Sequence, residues 1–333
     1  MIKRPTLADI ADAASVSLMT VSRAINNKPG VSEELRQEIL ALANELGYHP
    51  NQIARGLATN QTTSVGLIVP DNTNPFFAQI ARGVEDAAYE HGYSVFLVNT
   101  VEDPTRELEA LNSLWQKDVD GLIWCSARVS VEDLKVQLNR FPAVVLLNRE
   151  LEEPLSHAMT LNVHDHRGAR LAVAHFVGRG RRRIAYLNGP SHSLSAHRRL
   201  QGYYAALTAA NLPLDSLLEE CCIPDTESGY EAALALLKRC PDVDAILAFN
   251  DLVAVGAMQA CQALGRRVPE DIGIIGFDDI PLATIIKPQL TTLHVNLMHI
   301  GKVAMQSLLD MMGGVVCPAA MLIEPELYVR DSA

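Results

Sequence analysis

The sequence predicts two folded parts: a small N-terminal all-α head with a helix-turn-helix, and an α/β core of two doubly wound parallel-sheet subdomains. Three observations carry this. The first fifty residues hold three short amphipathic helical patterns and no strand pattern. From Ser64 onward, apolar runs alternate with amphipathic helical stretches, the signature of parallel strands covered on both faces. Polar and charged residues gather just past the ends of those apolar runs.

In the head, the spacing of Thr6 and Asp9 predicts a capping pair at the start of a helix whose buried face is Leu7, Ile10 and Ala11. Ala14-Ser15-Val16 is a tight connection. The stretch Val16–Ile25 follows as a reading helix capped by Ser17, with Val21 and Ile25 four residues apart and turned inward. Leu18, Met19, Ser22 and Arg23 then fall on other faces. The short side chains of Ser17, Thr20 and Ser22 allow close approach to phosphates, and Arg23 suits a phosphate or a guanine edge. A third helix is expected from its cap Ser32 through Leu46, with Leu35, Ile39, Leu42, Ala43 and Leu46 as its apolar stripe, Gly47 as its end and Pro50 as its stop. Residues 50–62 read as a linker, in which Gly56 weakens any isolated helix and Leu57 is an apolar side chain that packs on the core or wedges into a minor groove.

In the core, strands are expected at 65–70, 94–99, 119–125, 143–148, 183–189, 244–250 and 272–279. Helices are expected near 76–91, 105–117, 131–139, 166–178, 196–210, 228–239 and 251–264. So many strands suit two sheets better than one. Asn74, Phe76, Asn148, Arg149, Arg199, Asn250, Phe277 and Asp278 lie at or near strand ends, a mixture suited to a hydroxyl-rich small molecule. Singly, Asn74, Asp165 and Asp251 also read as helix caps, and Arg199 with Asp278 as a structural ion pair.

Composition bounds the function. The net charge of −11 argues against a uniformly basic nucleic-acid coat, but residues 1–62 carry six basic and six acidic residues while the rest carries 22 and 33. The acidity therefore sits in the core, and a neutral head needs two copies acting together for DNA affinity. No apolar run of membrane-spanning length occurs and no secretory signal is evident, so a cytoplasmic protein is expected. Six cysteines at irregular spacing read as idle thiols. His164-Asp165-His166 reads as a loop or helix start before a metal site, and the run 178–183 as a helix terminus before a second DNA patch. Nucleophile, phosphate-loop and dinucleotide motifs are missing, so neither an enzyme nor a cofactor is expected.

The segments TLADIADAASVSLMTVSRAIN (6–26), VSEELRQEILALANELGYHPNQIARGLAT (31–59), NPFF (74–77), RRRIAYLNGP (181–190), FND (249–251) and GFDD (276–279) together resemble the LacI/GalR family of bacterial transcription regulators over essentially the whole chain. The resemblance implies a DNA-binding head (1–49), a hinge helix (50–62) and a two-lobed core (63–333) similar to periplasmic sugar-binding proteins. Lobe 1 would span about 63–160 and 291–320, lobe 2 about 161–290 and 321–333, with crossings near 160, 290 and 320. It implies that Leu18, Met19 and Arg23 face bases, and that Thr20, Ser22 and Asn26 sit near phosphates. Thr6, Ser17, Asn51 and Arg55 complete the DNA-facing set, with Leu57 as a minor-groove wedge. In the core it assigns Arg199, Asn250 and Asp278, the aromatic Phe76 and Phe277, and the strand end Asn148-Arg149 to the effector, along with Asn74. The implied protein is a homodimer or tetramer on near-palindromic double-stranded DNA, a repressor whose affinity follows a carbohydrate effector, a sugar or sugar acid before a purine-like corepressor. The apolar Leu18-Met19 pair implies thymine-methyl or shape reading. A solute-binding protein would leave the head unexplained, and a sugar-modifying enzyme would need a nucleophile or metal constellation.

Overall fold

A computed structural model describes residues 5–48 and 61–333, and the chain divides into two compact units between Thr62 and Thr63. Asn51, Arg55 and Leu57, with most of the expected linker, lie outside the described residues.

In the first unit, α1 (Leu7–Ala13), α2 (Leu18–Ile25) and α3 (Glu33–Glu45) surround a small core of Ile10, Val21 and Ile39, all fully buried, with Ala11, Ala24 and Ala43. Each helix begins on the hydroxyl residue expected of it: Thr6 in a reciprocal capping box with Asp9, Ser17 accepting from the Thr20 amide, Ser32 from the Leu35 amide. Ser15 takes up a left-handed backbone (φ 53°) at the turn, and the Val16 amide closes onto the Ala11 carbonyl at 3.0 Å. Helix α3 ends at Gly47 (φ 66°), where the Tyr48 amide bonds back to Ala43 O at 2.8 Å. One stripe residue departs from expectation: Leu46 is exposed, because Tyr48 folds back onto the core in its place.

The second unit holds two six-stranded sheets. The first has β1 (Ser64–Val69), β2 (Ser94–Asn99), β3 (Gly121–Cys125), β4 (Val144–Leu147), β5 (Ala158–Val163) and β11 (Ala320–Ile323), in the order β11-β5-β4-β3-β1-β2 and wholly parallel. The second has β6 (Ile184–Asn188), β7 (Glu219–Cys221), β8 (Ala245–Ala248), β9 (Gly273–Asp278), β10 (Thr291–His294) and β12 (Glu326–Tyr328), in the order β12-β10-β9-β8-β6-β7. Its edge strand β12 runs antiparallel to β10, with Thr292 opposite Tyr328. This differs from the all-parallel expectation: the two residues between β11 and β12 carry the chain from one sheet to the other and leave no length for a crossover helix. The chain changes sheets after Val163, His294 and Ile323, a few residues beyond 160, 290 and 320. Thr291–His294 thus belongs to the second sheet, where it pairs with β9, and Ala320–Ile323 to the first, where it pairs with β5.

The covering helices are α4 (Pro75–Glu90), α5 (Pro104–Gln116), α6 (Val131–Leu138), α7 (Asp165–Gly178), α8 (Leu194–Ala209), α9 (Thr226–Arg239), α10 (Asp251–Ala263), α11 (Leu282–Ile285) and α12 (Leu297–Met312). Helices α4 and α12 cross with glycine on glycine. A Cβ on Gly83 would stand 2.1 Å from Met298 O, and one on Gly301 2.1 Å from Ile80 O. The basic run is structural: Arg181 donates to the carbonyls of Pro269, Glu270 and Asp271, and Arg183 pairs with Asp215 and Asp242. All six cysteines are free, and burial pushes the Cys125 thiol up to about 12.

Candidate DNA-reading face and effector cleft

Helix α2 turns Val21 and Ala24 into the head and leaves Leu18 54 % and Met19 63 % exposed. Around them the hydroxyls are engaged locally. Ser17 Oγ receives the Thr20 amide at 3.1 Å and lies 2.9 Å from Thr20 Oγ1. Thr6 Oγ1 donates to Asp9 at 2.7 Å, and Asn26 Nδ2 donates to the Ser22 carbonyl at 2.8 Å. Arg23 is exposed, with its guanidinium near Gly30: a Cβ there would meet Nη1 at 3.3 Å.

In the core, the carboxyl ends of the two sheets meet at a cleft of about 50 Å³, walled by Asn74, Phe76, Ser126, Arg128, Asn148, Arg199, Asn250 and Asp278 among others. Two larger surface grooves, about 530 and 680 Å³, carry none of these strand-end polar residues. Four residues of the cleft wall have left-handed backbones: Glu102 (φ 58°), Ser126 (φ 51°), Asn148 (φ 52°) and Asp278 (φ 109°). Such conformations cost about 1–3 kcal/mol each in a non-glycine residue and gather where side chains must be re-aimed.

Arg199, on the first turns of α8, is the centre of the second-sheet wall. It is 5 % exposed; Nε donates to Asp165 Oδ1 at 2.7 Å, Nη1 donates to the Phe249 carbonyl, and Nη2 stands 3.7 Å from Asp278 Oδ1. Its guanidinium lies 3.5 Å from the centre of the Phe277 ring and 4.7 Å from that of Phe249. Burial acts to lower the Arg199 pKa, but Asp165 and Asp278 outweigh it and the net shift is upward. Burial raises both carboxyls above their ordinary range, and Arg199 opposes this at each. Asp278 Oδ1 is buried and has no hydrogen-bond partner. Asp279, next along, is held by Arg330 at 2.6 Å and His294 at 2.8 Å, which anchors the turn that aims Asp278. Beneath it, Asp251 receives Thr292 Oγ1 at 2.5 Å and the Ile280 amide at 2.8 Å; burial pushes its pKa up to about 7.

The first-sheet wall is set by a buried carboxylate at some distance in sequence. Glu107 receives Trp124 Nε1 at 2.7 Å and the amides of Arg128 and Val129 at 2.8 and 2.9 Å. That arrangement fixes the loop after β3, and Arg128 reaches Glu102 at 2.5 Å. Two side-chain contacts then span the cleft: the Arg198 ion pair with Glu150, and His192 Nε2 at 3.8 Å from Glu102.

Of the expected core residues, Asn74, Phe76, Asn148, Arg199, Asn250 and Asp278 meet in the cleft. Two are also caps: Asn74 accepts from the Phe76 amide, and Asn250 from the Val253 amide while donating to the Pro224 carbonyl. Asp165 and Asp251 are first-turn residues whose carboxylates are spent on tertiary contacts. Phe277 lies under Arg199 instead of in the wall. Arg149 stands apart from these six: past the left-handed turn at Asn148 it donates to the Val129 carbonyl at 3.2 Å and lines a separate groove beside α6. Ser126, Arg128, Glu102, Ser195 and Phe249 are wall residues that sequence reasoning missed. Phe249 was signalled, since it directly precedes Asn250 at a strand end.

Two family models match the chain: "Bacterial regulatory proteins, lacI family" over residues 6–51, and "Periplasmic binding proteins and sugar binding domain of LacI family" over residues 62–324. Catabolite control protein A of Priestia megaterium is 37% identical over 305 residues, 91% of each chain. The ribose operon repressor of Halalkalibacterium halodurans is 36% identical over 307 residues, 91% of this chain and 89% of the relative. Among solved structures, the lac repressor dimer bound to operator and the anti-inducer ONPF superposes with a TM-score of 0.90 at 28% identity, covering 99% of both chains.

Proposed function

Since the chain belongs to the LacI family of bacterial regulatory proteins, we propose that it is a cytoplasmic transcriptional repressor, without enzymatic activity, whose operator affinity is controlled by a small neutral sugar held in the core cleft. Residues 1–49 bind DNA, 50–62 form the hinge and 63–333 bind effector and dimerise. Two heads of a homodimer meet a near-palindromic operator, as two-fold proteins do. Leu18, Met19 and Arg23 face bases; Thr20, Ser22 and Asn26 lie near phosphates; Asn51, Arg55 and Leu57 act from the hinge.

The observation that carries the effector reading is Asp278 Oδ1, buried and without a hydrogen bond although 3.7 Å from Arg199 Nη2, at the junction of two sheets. An unmet acceptor there suits a hydroxyl donor. The wall's cations are already matched, Arg128 by Glu102 and Arg199 by Asp165 and Asp278, so a ligand carboxylate or phosphate finds no free positive charge in either. Phe76 offers an apolar face. Ligand pockets of this kind run to roughly 300 Å³ or more, so the lobes part to admit the sugar and close around it. Differential occupancy of the two lobe positions is what couples effector to operator.

Titration calorimetry of the full chain with ribose, other neutral pentoses and hexoses, their acids and phosphates, and free purine bases tests this. The expected result is binding of a neutral sugar that Asp278→Ala abolishes. Binding only of an acid, a phosphate or a purine would refute the effector assignment.

A further inference from the structure

We propose that the groove beside α6 is a second ligand site, behind the sugar cleft, that takes a small organic monoacid with an apolar body.

The groove encloses about 250 Å³, against about 50 Å³ for the cleft. That is close to the lower end of small-molecule pockets, roughly 300 Å³, so the occupant is small. Val131, Leu134 and Leu151 of the first lobe and Leu194 of the second give it apolar walls. Its charged residues are Lys135, Arg149, Glu150 and Glu152. Glu152 is paired with Lys135 at 2.9 Å, and Glu150 with Arg198. Arg149 is the cation left over. It is half-buried, its Nη2 donates only to the Val129 carbonyl at 3.2 Å, and no carboxylate among the described residues pairs with it. Burial lowers its pKa; Glu107 opposes this and Arg128 adds to it. The Glu107 carboxylate is itself taken up by Trp124 and two backbone amides.

A desolvated guanidinium with unused donors above an apolar floor suits a carboxylate carrying a hydrocarbon body. Glu150 and Glu152 on the rim repel a second negative charge, which favours a monoanion over a phosphate ester. The site is also placed to act on the lobes. Asn148 and Ser195 line the cleft, while their chain neighbours Arg149 and Leu194 line the groove. An acid lying between Arg149 and Leu194 touches both lobes, and is held best while they stand together.

The test is titration of the full-length protein with isovalerate, hexanoate and benzoate, using the matching amides as uncharged controls, by calorimetry and ligand-observed magnetic resonance. At least one acid is expected to bind and its amide not. Arg149→Gln is expected to weaken that acid about ten-fold or more, the ratio for about 1.5 kcal/mol of a charged hydrogen bond. Arg149→Lys, which keeps the charge, is expected to retain most of the affinity, so a general loss of fold in the glutamine variant is told apart. Leu194→Ala, on the other lobe, weakens the acid several-fold, and Asp278→Ala in the cleft leaves it bound. Failure of all three acids, equal binding of the amides, or binding indifferent to Arg149→Gln or to Leu194→Ala overturns the proposal. Loss of the acid in Asp278→Ala with retention in Arg149→Gln places it in the cleft and overturns it too.

Discussion

Arg199→Ala removes the one cation shared by two buried carboxylates. Asp165 and Asp278 are 1 % and 5 % exposed, and each is already held above the ordinary carboxylate range by burial, with Arg199 opposing. Deleting one partner of a buried pair costs about 3–5 kcal/mol. Losing the guanidinium from the faces of Phe277 and Phe249 adds about 1 kcal/mol. The predicted loss near neutral pH is therefore about 4–6 kcal/mol. The deficit also depends on pH in a definite direction. Without Arg199 both folded-state pKa values rise further above that of the unfolded carboxyl, about 3.9. The native state then keeps a proton that the unfolded chain releases, so stability falls as pH climbs above that value. Urea unfolding followed by circular dichroism, at fixed protein concentration, is expected to show a smaller deficit at pH 5 than at pH 8. Adding Asp278→Asn is expected to recover part of it. A deficit below about 1 kcal/mol, or one independent of pH, would refute the account of this cluster.

Three further outcomes follow from the same structure. Asp251, with its pKa pushed up to about 7, costs the wild type stability as pH rises from about 4 to 7; Asp251→Asn is expected to gain on the wild type across that window by at most about 1.4 kcal/mol per pH unit, and parallel stability–pH curves would contradict it. Gly301→Ala places a Cβ 2.1 Å from the Ile80 carbonyl, and calorimetry is expected to show a loss of about 1–3 kcal/mol from overpacking α4 against α12. Ser17→Ala removes the α2 cap, so hydrogen exchange at the Thr20 amide is expected to quicken about five-fold, for about 1 kcal/mol, with core exchange unchanged; equal rates would mean that water replaces the cap without loss.

The fold was legible where local chemistry and tertiary need agree. Thr6, Ser17 and Ser32 announce three helix starts, and the apolar runs from Val65 to Asp279 give seven of the strands. Most of the strands that escaped notice lack that signal. Strands β5, β7, β10 and β12 are very short or interleaved with polar residues, and β11 (Ala320–Ile323) is an apolar run of four whose side chains are only partly covered. Thr160 and Asn162 are buried, yet they break the apolar run of β5, and Thr291 and Thr292 do the same in β10. Within the cleft, Arg199, Asn250 and Asp278 were legible because strand ends and helix starts place them. Arg128 and Glu102 were not. Their positions depend on Glu107 reaching Trp124 and the amides of Arg128 and Val129, a tertiary arrangement with no periodic trace. That Arg149 lines a groove apart from the cleft was not legible either, because a single left-handed residue, Asn148, sets which way the chain turns.

The most direct test of the central claim is to select bound fragments from a randomised duplex pool with the full-length protein, with and without ribose and other neutral sugars, and to measure affinity for the winner as each sugar is titrated. A near-palindrome with half-sites about one helical turn apart is expected, with an affinity that one neutral sugar changes in the wild type but not in Asp278→Ala. No enriched duplex under any condition, or an operator affinity indifferent to every sugar while the cleft binds one, would contradict it.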